Sequence, residues 1–251
     1  MPRFHLPPAA CEGPELRLTG AEAAHATRVL RLRPGDRVTV LDGAGSEYDC
    51  QIAALARGEA RLVVRESRRH PPPTPALILL PAVLKARGMD WLLQKATELG
   101  ATEIRPVLTR RCVPEFPPRE AERKRAKWEA VAVEAMKQCG APWLPRVAPP
   151  RPLSAFLTEP PPAEPALLAD LSPAARPLRE LLAAWREQPG WPPKKIALWI
   201  GPEGDFTPEE RDALLAHGAH PVSFGPRVLS SETAALYGLS VLGYECASPN
   251  R

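Results

Sequence analysis

Two short segments of the sequence have the composition of ligand-binding turns. Residues 201–204 (Gly-Pro-Glu-Gly) directly follow the apolar run at 196–200, and residues 225–227 (Gly-Pro-Arg) directly follow a short predicted strand at 222–224. Glycine there permits a positive φ or lets a ligand approach bare backbone. If the two turns are neighbours, they form one pocket that holds two acids, Glu203 and Glu232, and one base, Arg227. Carboxylates and a guanidinium in one pocket could accept a proton and stabilise developing negative charge. Two ordinary turns are the alternative interpretation.

Several standard sites are excluded by the sequence. Neither the GxGxxG nor the GxxxxGK[ST] phosphate-binding pattern is present, so a nucleotide held by these turns would be recognised differently. The five cysteines are odd in number, widely spaced and form no CxxC pair, which argues against a disulfide framework and a zinc site. We therefore expect no metal.

Composition and charge favour a soluble enzyme or binding protein. The start, MPRFHLPP, lacks the apolar segment of a signal peptide, and the longest apolar stretches are too short to span a bilayer. Unpaired cysteines suit a reducing compartment, so we expect a cytoplasmic protein with no membrane partner. The net charge of +4 permits an anionic partner without demonstrating one.

The elements that must position the two turns follow from hydrophobic periodicity. Residues 1–70 form a small β-rich domain, with predicted strands at 37–41, 48–55 and 60–64. Arg28, Arg31, Arg33 and Arg37 lie close together in this sequence. They form either a nucleic-acid contact surface or an ordinary solvated face. The stiff segment His70-Pro-Pro-Pro-Thr-Pro75 is the predicted boundary, and a second domain covers 74–247.

Strands and helices alternate beyond that boundary, which is typical of a parallel sheet covered by helices. The predicted strands are 76–84, 103–107, 166–169, 196–200 and 222–224, and the predicted helices are 89–99, 119–138, 177–187, 208–217 and 233–244. Both turns would then lie just beyond the carboxyl ends of strands, where open α/β sheets bind ligands.

Helix-capping signals follow each turn. Thr207 is a predicted N-cap, with Pro208 in the first helical position and Glu210 completing a capping box. Ser230 or Ser231 caps the next helix, and Glu232 lies in its first turn, where a carboxylate is favoured.

The motifs taken together resemble a known family. In order they are MPRF at 1–4, His25 with Val29-Leu30-Arg31, Asp42-Gly43, Lys85, Gln-Lys-Ala-Thr-Glu-Leu-Gly-Ala at 94–101, Arg111, Gln-Cys-Gly at 138–140, Gly-Pro-Glu-Gly at 201–204 and Arg-Val-Leu-x-x-Glu-Thr-Ala at 227–234. In this combination the chain is similar to the 16S ribosomal RNA uracil-N3 methyltransferase family of the SPOUT class, over nearly its whole length.

The resemblance implies a fold, a cofactor and partners. The fold would be an N-terminal PUA-like β-barrel followed by an α/β domain with a deep trefoil knot. The cofactor would be S-adenosylmethionine, held bent in the knot and converted to S-adenosylhomocysteine. The protein would act as a homodimer through its knot helices, and its substrate would be one uridine of 16S rRNA in the decoding region of the small ribosomal subunit.

The resemblance also implies site residues. Arg227 and Arg111 would orient the base or its phosphates, and Glu232 or Glu203 would assist proton removal. RNA would contact Arg28, Arg31, Arg33, Lys85 and Arg110. The cofactor would contact Leu168, Ala169, Ile200, Gly201, Glu203, Gly204, Gly225, Val228, Leu229 and Ala234.

Three positions depart from the family pattern. Asp205 stands where a third glycine is usual, and Ser230 and Ala141 stand where arginines are usual. Arg110 or Lys137 could compensate for the missing cations. The alternatives are an enzyme of the same class that methylates another RNA position or a ribose 2′-hydroxyl, and a non-catalytic RNA-binding relative. A nucleotide-dependent dehydrogenase is opposed by the absent glycine fingerprint.

Overall fold

The computed structural model describes residues 1–112 and 117–246 and divides into two compact units. The first unit contains Met1–Pro72 and Val133–Leu144, and the second contains Pro73–Ala132 and Pro145–Arg251. The first unit ends inside the proline-rich segment that the sequence marked as a boundary. The assignment of 1–70 and 74–247 as separate domains stays a prediction, and no sequence pattern indicated the contribution from 133–144.

The first unit is a five-stranded sheet. Its strands are β1 (Arg3–His5), β2 (Glu15–Thr19), β3 (Arg37–Leu41), β4 (Ser46–Ala56) and β5 (Glu59–Arg69). Their order is β1-β3-β4-β5-β2, with β1 parallel to β3 and the other pairs antiparallel. A 3₁₀ turn (Pro8–Ala10), helix α1 (Gly20–Ala24) and a π-helical turn (His25–Val29) complete it.

The core of this unit follows from the period-two alternation of its strands. In β2 the side chains of Leu16 and Leu18 are buried while their neighbours are exposed, and Phe4, Val40 and Leu62 join them in the same cluster. The sheet curls around this cluster as a PUA-like half-barrel, which confirms the predicted β-rich first domain.

The 133–144 segment is fixed to this unit by polar contacts. Arg3 Nη1 donates to the carbonyl oxygens of Lys137 (3.3 Å) and Gln138 (3.0 Å). The Lys137 side chain is buried, and its Nζ bonds Glu22 (2.7 Å) and Glu134 (2.9 Å). Lys137 therefore serves a structural ion-pair network, and the expectation that it could replace a missing RNA-contacting cation is wrong.

The second unit alternates strands and helices. Its strands are β6 (Ala76–Pro81), β7 (Ala101–Ile104), β8 (Val107–Leu108), β9 (Arg146–Val147), β10 (Arg151–Pro152), β11 (Ala166–Ala169), β12 (Arg176–Pro177), β13 (Lys195–Ile200) and β14 (Ala219–Ser223). Its helices are α2 (Ala86–Glu98), α3 (Pro118–Cys139, which ends in the first unit), α4 (Leu153–Leu157), α5 (Leu178–Arg186), α6 (Pro208–Ala216) and α7 (Ser231–Cys246).

Seven of these strands form one sheet in the order β12-β14-β11-β13-β6-β7-β9, and every neighbouring pair is parallel. Strands β8 and β10 pair separately, also in parallel. The predicted parallel α/β domain is thus confirmed, and the trefoil knot stays a prediction. The long predicted strand at 103–107 is interrupted at Pro106, which has no N–H to donate to a ladder.

The centre of the sheet is strand β13. Residues 196–200 are buried on both faces, as expected for a parallel strand covered by helices, and the strand therefore has a continuous apolar sequence. Its register pairs Trp199 with Leu168 of β11, and Ala169 pairs with Val222 of β14. The carboxyl ends of these three strands consequently lie level with one another.

Candidate active site

One pocket lies beyond the carboxyl ends of β11, β13 and β14. Its walls are residues 169–171, which follow β11; residues 200–203 and 205, which follow β13; and residues 222–225, 227–231 and 234, which lead from β14 into α7. The two glycine-proline turns therefore share one pocket, as the sequence analysis expected. The two turns meet because of the strand order: β13 and β14 both lie directly beside β11 in the sheet, although 25 residues separate β11 from β13 in the chain.

The first turn depends on the small size of Gly201. A side-chain carbon at this position would lie 2.7 Å from Asp205 Oδ1 and 3.2 Å from Cδ2 of Phe206, so only glycine fits without displacement. The turn closes by a hydrogen bond from Asp205 N to Pro202 O (2.8 Å). The positive φ of this segment, +60°, occurs at Asp205 and at neither turn glycine. Aspartate tolerates this left-handed conformation better than most residues.

Helix α6 begins directly after this turn with the predicted capping box. Thr207 Oγ1 accepts from Glu210 N (3.3 Å), and the Glu210 carboxylate accepts from Thr207 N (2.9 Å). The other Glu210 oxygen accepts from Arg110 N (2.8 Å). The cap therefore also fixes the segment that carries Arg110 and Arg111.

The second turn uses glycine for its conformation. Gly225 has φ +115°, a region that is costly for any residue with a side chain, and its N–H donates to Ser223 Oγ (3.2 Å). Ser230 Oγ accepts from Thr233 N (3.4 Å), so Ser230 rather than Ser231 caps α7. The serine that replaces the expected arginine thus has a capping role.

Asp170 is a buried acid in the pocket that sequence reasoning missed. Its carboxylate accepts from Ser172 N (3.0 Å) and Ser172 Oγ (2.8 Å), and from Arg211 Nε of α6 (3.0 Å). Burial by itself would raise the pKa of Asp170, but the hydrogen bonds from Arg211 and Ser172 outweigh it and hold the pKa below its usual value. Asp170 is therefore a stable anion. Its only sequence signal was its position directly after a buried strand.

Asp205 behaves in the opposite way. Burial raises the pKa of its carboxyl group, and the negative charge of Asp170 adds to this, despite a hydrogen bond from Phe206 N (2.8 Å). The positive charges of Arg111 and Arg211 lower the pKa by less. One pocket thus contains two carboxylates whose environments shift their pKa values in opposite directions, an arrangement that is typical of functional sites.

Comparison with known proteins identifies the family. Residues 70–243 match the model of an RNA methyltransferase domain, and residues 18–65 match the model of an RNA methyltransferase PUA domain. The ribosomal RNA small subunit methyltransferase E of Synechocystis is 35% identical over 89% of this chain and 71% of its own length; that of Bacillus subtilis is 28% identical over 93% and 91%.

Solved structures agree over the whole fold. A putative methyltransferase of Legionella pneumophila in complex with S-adenosylmethionine has a TM-score of 0.84 at 30% identity, covering 96% of both chains. The ribosomal RNA small subunit methyltransferase E of Neisseria gonorrhoeae, bound to S-adenosylmethionine, has a TM-score of 0.83 at 27% identity, covering 97% of both. The chain belongs to the ribosomal RNA small subunit methyltransferase E family. The predicted family membership is confirmed.

The structure gathers most of the cofactor residues expected of this RNA methyltransferase family. Eight of the ten line the pocket: Ala169, Ile200, Gly201, Glu203, Gly225, Val228, Leu229 and Ala234. Leu168 lies one residue deeper in β11, where its side chain is part of the core. Gly204 is exposed and does not line the pocket. Its carbonyl oxygen accepts a hydrogen bond from Arg111 Nη1 (2.5 Å). Besides Asp170 and Asp205, sequence reasoning missed Leu171, Pro202, Val222, Ser223, Phe224, Ser230 and Ser231 as lining residues.

The residues expected to act in methyl transfer are only partly together. Arg227 and Glu203 line the pocket and are exposed, and Arg111 lies beside it, bonded to Gly204. Glu232 is not a lining residue. Its Oε1 occupies the space next to Gly88, in the first turn of α2. Only one of the two acids expected in the pocket therefore lies there.

The cations expected to contact RNA are exposed on both units. Arg28, Arg31 and Arg33 belong to the first unit, and among the described residues their side chains form no ion pair. Lys85 precedes α2 and is exposed. Arg110 is exposed beside Glu209, at 3.6 Å. All five side chains are exposed, so a polyanion can reach them.

In residues 1–112 and 117–246, no three His, Cys, Asp or Glu side chains converge as a metal site would require. Within the same residues, no helix combines the length and apolar character needed to cross a bilayer.

Proposed function

We propose that the protein transfers a methyl group from S-adenosylmethionine to N3 of one uridine in the decoding region of 16S rRNA. The observation that carries this proposal is the pocket beyond β11, β13 and β14, built from the two glycine turns of an RNA methyltransferase domain. The similar Neisseria gonorrhoeae enzyme has S-adenosylmethionine bound, which supports the same cofactor here.

The lining residues suit such a cofactor. Ile200, Val228 and Leu229 offer apolar contacts, and the turns at Gly201 and Gly225 offer backbone N–H and C=O groups that can read an adenine. The negative charges in the pocket suit a cation. When bound, S-adenosylmethionine supplies an activated methyl group on a positively charged sulfonium.

The protein must remove a proton and stabilise charge. Uracil N3 carries a weakly acidic proton that leaves before or during attack, and the negative charge that develops spreads to O2 and O4. Arg227, in the pocket, and Arg111, held by Gly204, are the groups proposed to orient the base and balance that charge. Glu203 or Glu232 is proposed to take the proton. Glu203 is favoured because it lines the pocket, whereas Glu232 does not.

The proposed partners are the small ribosomal subunit and a second copy of the chain. Helix α7 is apolar nearly all round, yet Tyr237 and Tyr244 are exposed by 46% and 83%. A helix of this composition is normally buried, so a partner subunit covering α7 is supported. The knotted topology, the dimer through its helices and the cytoplasmic location belong to this proposal.

Mapping the methylated base tests the function. Purified protein is incubated with methyl-labelled S-adenosylmethionine and either small ribosomal subunits or naked 16S rRNA, and the RNA is digested and analysed by mass spectrometry. We expect label on N3 of a single uridine. Label on another base or on a ribose hydroxyl would assign a different reaction of the same class. Cofactor binding without any transfer would favour an RNA-binding relative.

A further inference from the structure

The side chain of Asp205 is held in the pocket by unusual local geometry. Its backbone lies in the left-handed region, at φ +60°, where glycine is the least costly residue. Its Oδ1 accepts from Phe206 N and occupies the space that a side chain on Gly201 would fill. Two positions of the turn thus combine to hold the carboxylate of a pocket-lining residue in one place, which suggests that the carboxylate itself is used.

The charge of Asp205 is not balanced inside the protein. Asp170, another acid of the pocket, forms an ion pair with Arg211 at 2.9 Å. Among the residues that the structure describes, Asp205 forms no ion pair, although Arg111 and Arg211 lie near enough to affect it. The lining adds Glu203 as a negative group and Arg227 as a positive one. A cation bound beside Asp205 would therefore meet a carboxylate that no ion pair engages within the described residues.

We propose that Asp205 makes the pocket select the positively charged cofactor S-adenosylmethionine over its neutral product, S-adenosylhomocysteine. This inference rests on the proposed function. Methyl transfer leaves the electron pair of the broken C–S bond on sulfur, so the sulfonium charge disappears with the reaction. An unpaired carboxylate in a half-buried pocket then favours the reactant by about tenfold, and the product leaves more easily.

The test compares three ligands on three proteins. Wild type, Asp205→Asn and Glu180→Gln are titrated calorimetrically at pH 8 with S-adenosylmethionine, S-adenosylhomocysteine and sinefungin, whose amine places a cation where the sulfonium would be. Asparagine tolerates the left-handed region, so Asp205→Asn retains the turn while removing the charge. Glu180, exposed on α5 and absent from the pocket lining, controls for loss of one negative charge.

We expect Asp205→Asn to bind both cationic ligands about tenfold more weakly and S-adenosylhomocysteine unchanged, and Glu180→Gln to match wild type. Equal weakening of all three ligands would overturn the proposal, because the carboxylate would then contact a group common to them. No change would overturn it as well. If wild type bound none of the three, the proposed function itself would fail.

A pH titration gives an independent readout. The groups that act on Asp205 are Asp170 after β11, Arg111 after β8 and Arg211 on α6. Since burial and Asp170 raise the pKa of Asp205, its charge is lost as pH falls. The preference of wild type for S-adenosylmethionine should then decline as pH is lowered from 8 through the raised pKa of Asp205, and that of Asp205→Asn should stay constant. A parallel decline in both proteins would contradict the proposal.

Discussion

At the scale of single residues, two aspartates of the same pocket have pKa values shifted in opposite directions by their surroundings. Asp170 is fully engaged by Ser172 and Arg211, which hold its pKa below the usual value, whereas Asp205 lacks an ion pair in the described residues and its burial raises its pKa. The first has the contacts of a structural anion, and the second has those of a group that responds to what enters the pocket.

Asp170 should therefore matter for stability. We expect Asp170→Asn to lower the free energy of unfolding by about 2 kcal/mol at pH 7, because Arg211 loses a charge-assisted hydrogen bond in a largely buried position. Urea denaturation measures this. Asp212→Asn, which removes the exposed partner of the same arginine, is the control and should cost less than about 0.5 kcal/mol.

The difference in free energy of unfolding between wild type and Asp170→Asn should depend on pH, because the pKa of Asp170 is lowered in the folded protein. Ionised Asp170 stabilises the fold above the unfolded-state pKa, and this contribution is lost as pH falls through the lower folded-state pKa. The gap between wild type and Asp170→Asn should thus close in acid. A gap that stays constant down to pH 3 would exclude this ion pair as its source.

The proton acceptor is also a question about single residues. We expect Glu203→Gln to slow single-turnover methylation by on the order of 10²–10⁴-fold, because Glu203 lines the pocket. Glu232→Gln should lose less, since the Glu232 carboxylate lies beside Gly88. A rapid-quench assay at saturating cofactor compares them. A Glu203→Gln rate near that of wild type would reject Glu203 as the acceptor.

At the scale of elements, short-range signals were reliable. The capping box of α6, the strand β13 and the alternation of strands and helices were all predicted correctly because each depends on residues within a few positions of one another. The two-residue strands β9, β10 and β12 were missed, since so short a segment has no periodicity to detect.

The capping box should be measurable in stability. We expect Thr207→Ala to cost about 1 kcal/mol, since the buried N–H of Glu210 loses its acceptor. Scanning calorimetry measures the change. Thr158→Ala, which removes an exposed threonine hydroxyl after α4, is the control and should cost less than about 0.5 kcal/mol. Equal costs for the two variants would mean that the cap adds nothing specific.

At the scale of the whole molecule, the first unit includes a segment, Val133–Leu144, from much later in the chain. Arg3 and Glu22 bond Lys137 at the end of α3. Deletion of residues 1–70 would therefore remove both partners and expose a buried lysine. Such a truncation would confuse loss of folding with loss of RNA binding. Surface substitutions are the sharper test of the role of this unit.

We expect the triple change of Arg28, Arg31 and Arg33 to glutamine to weaken RNA binding and to reduce its salt dependence. Three lost phosphate contacts should lower the slope of log affinity against log salt by about two. Filter binding from 50 to 200 mM salt measures it. A matched control replaces three exposed cations of the second unit by glutamine: Arg176, Arg179 and Lys194. An unchanged slope in the first variant would remove these arginines from the RNA surface.

The sequence by itself determined the two glycine turns, the parallel α/β architecture, the cap of α6 and the family. Only the tertiary structure decided which groups share the pocket. Asp170 meets Arg211 across 41 residues, and Lys137 meets Glu22 across 115. For the contact between Asp170 and Arg211 the physical reason is strand order: β13, which leads into α6, lies beside β11, and no local pattern of side chains encodes that neighbourhood.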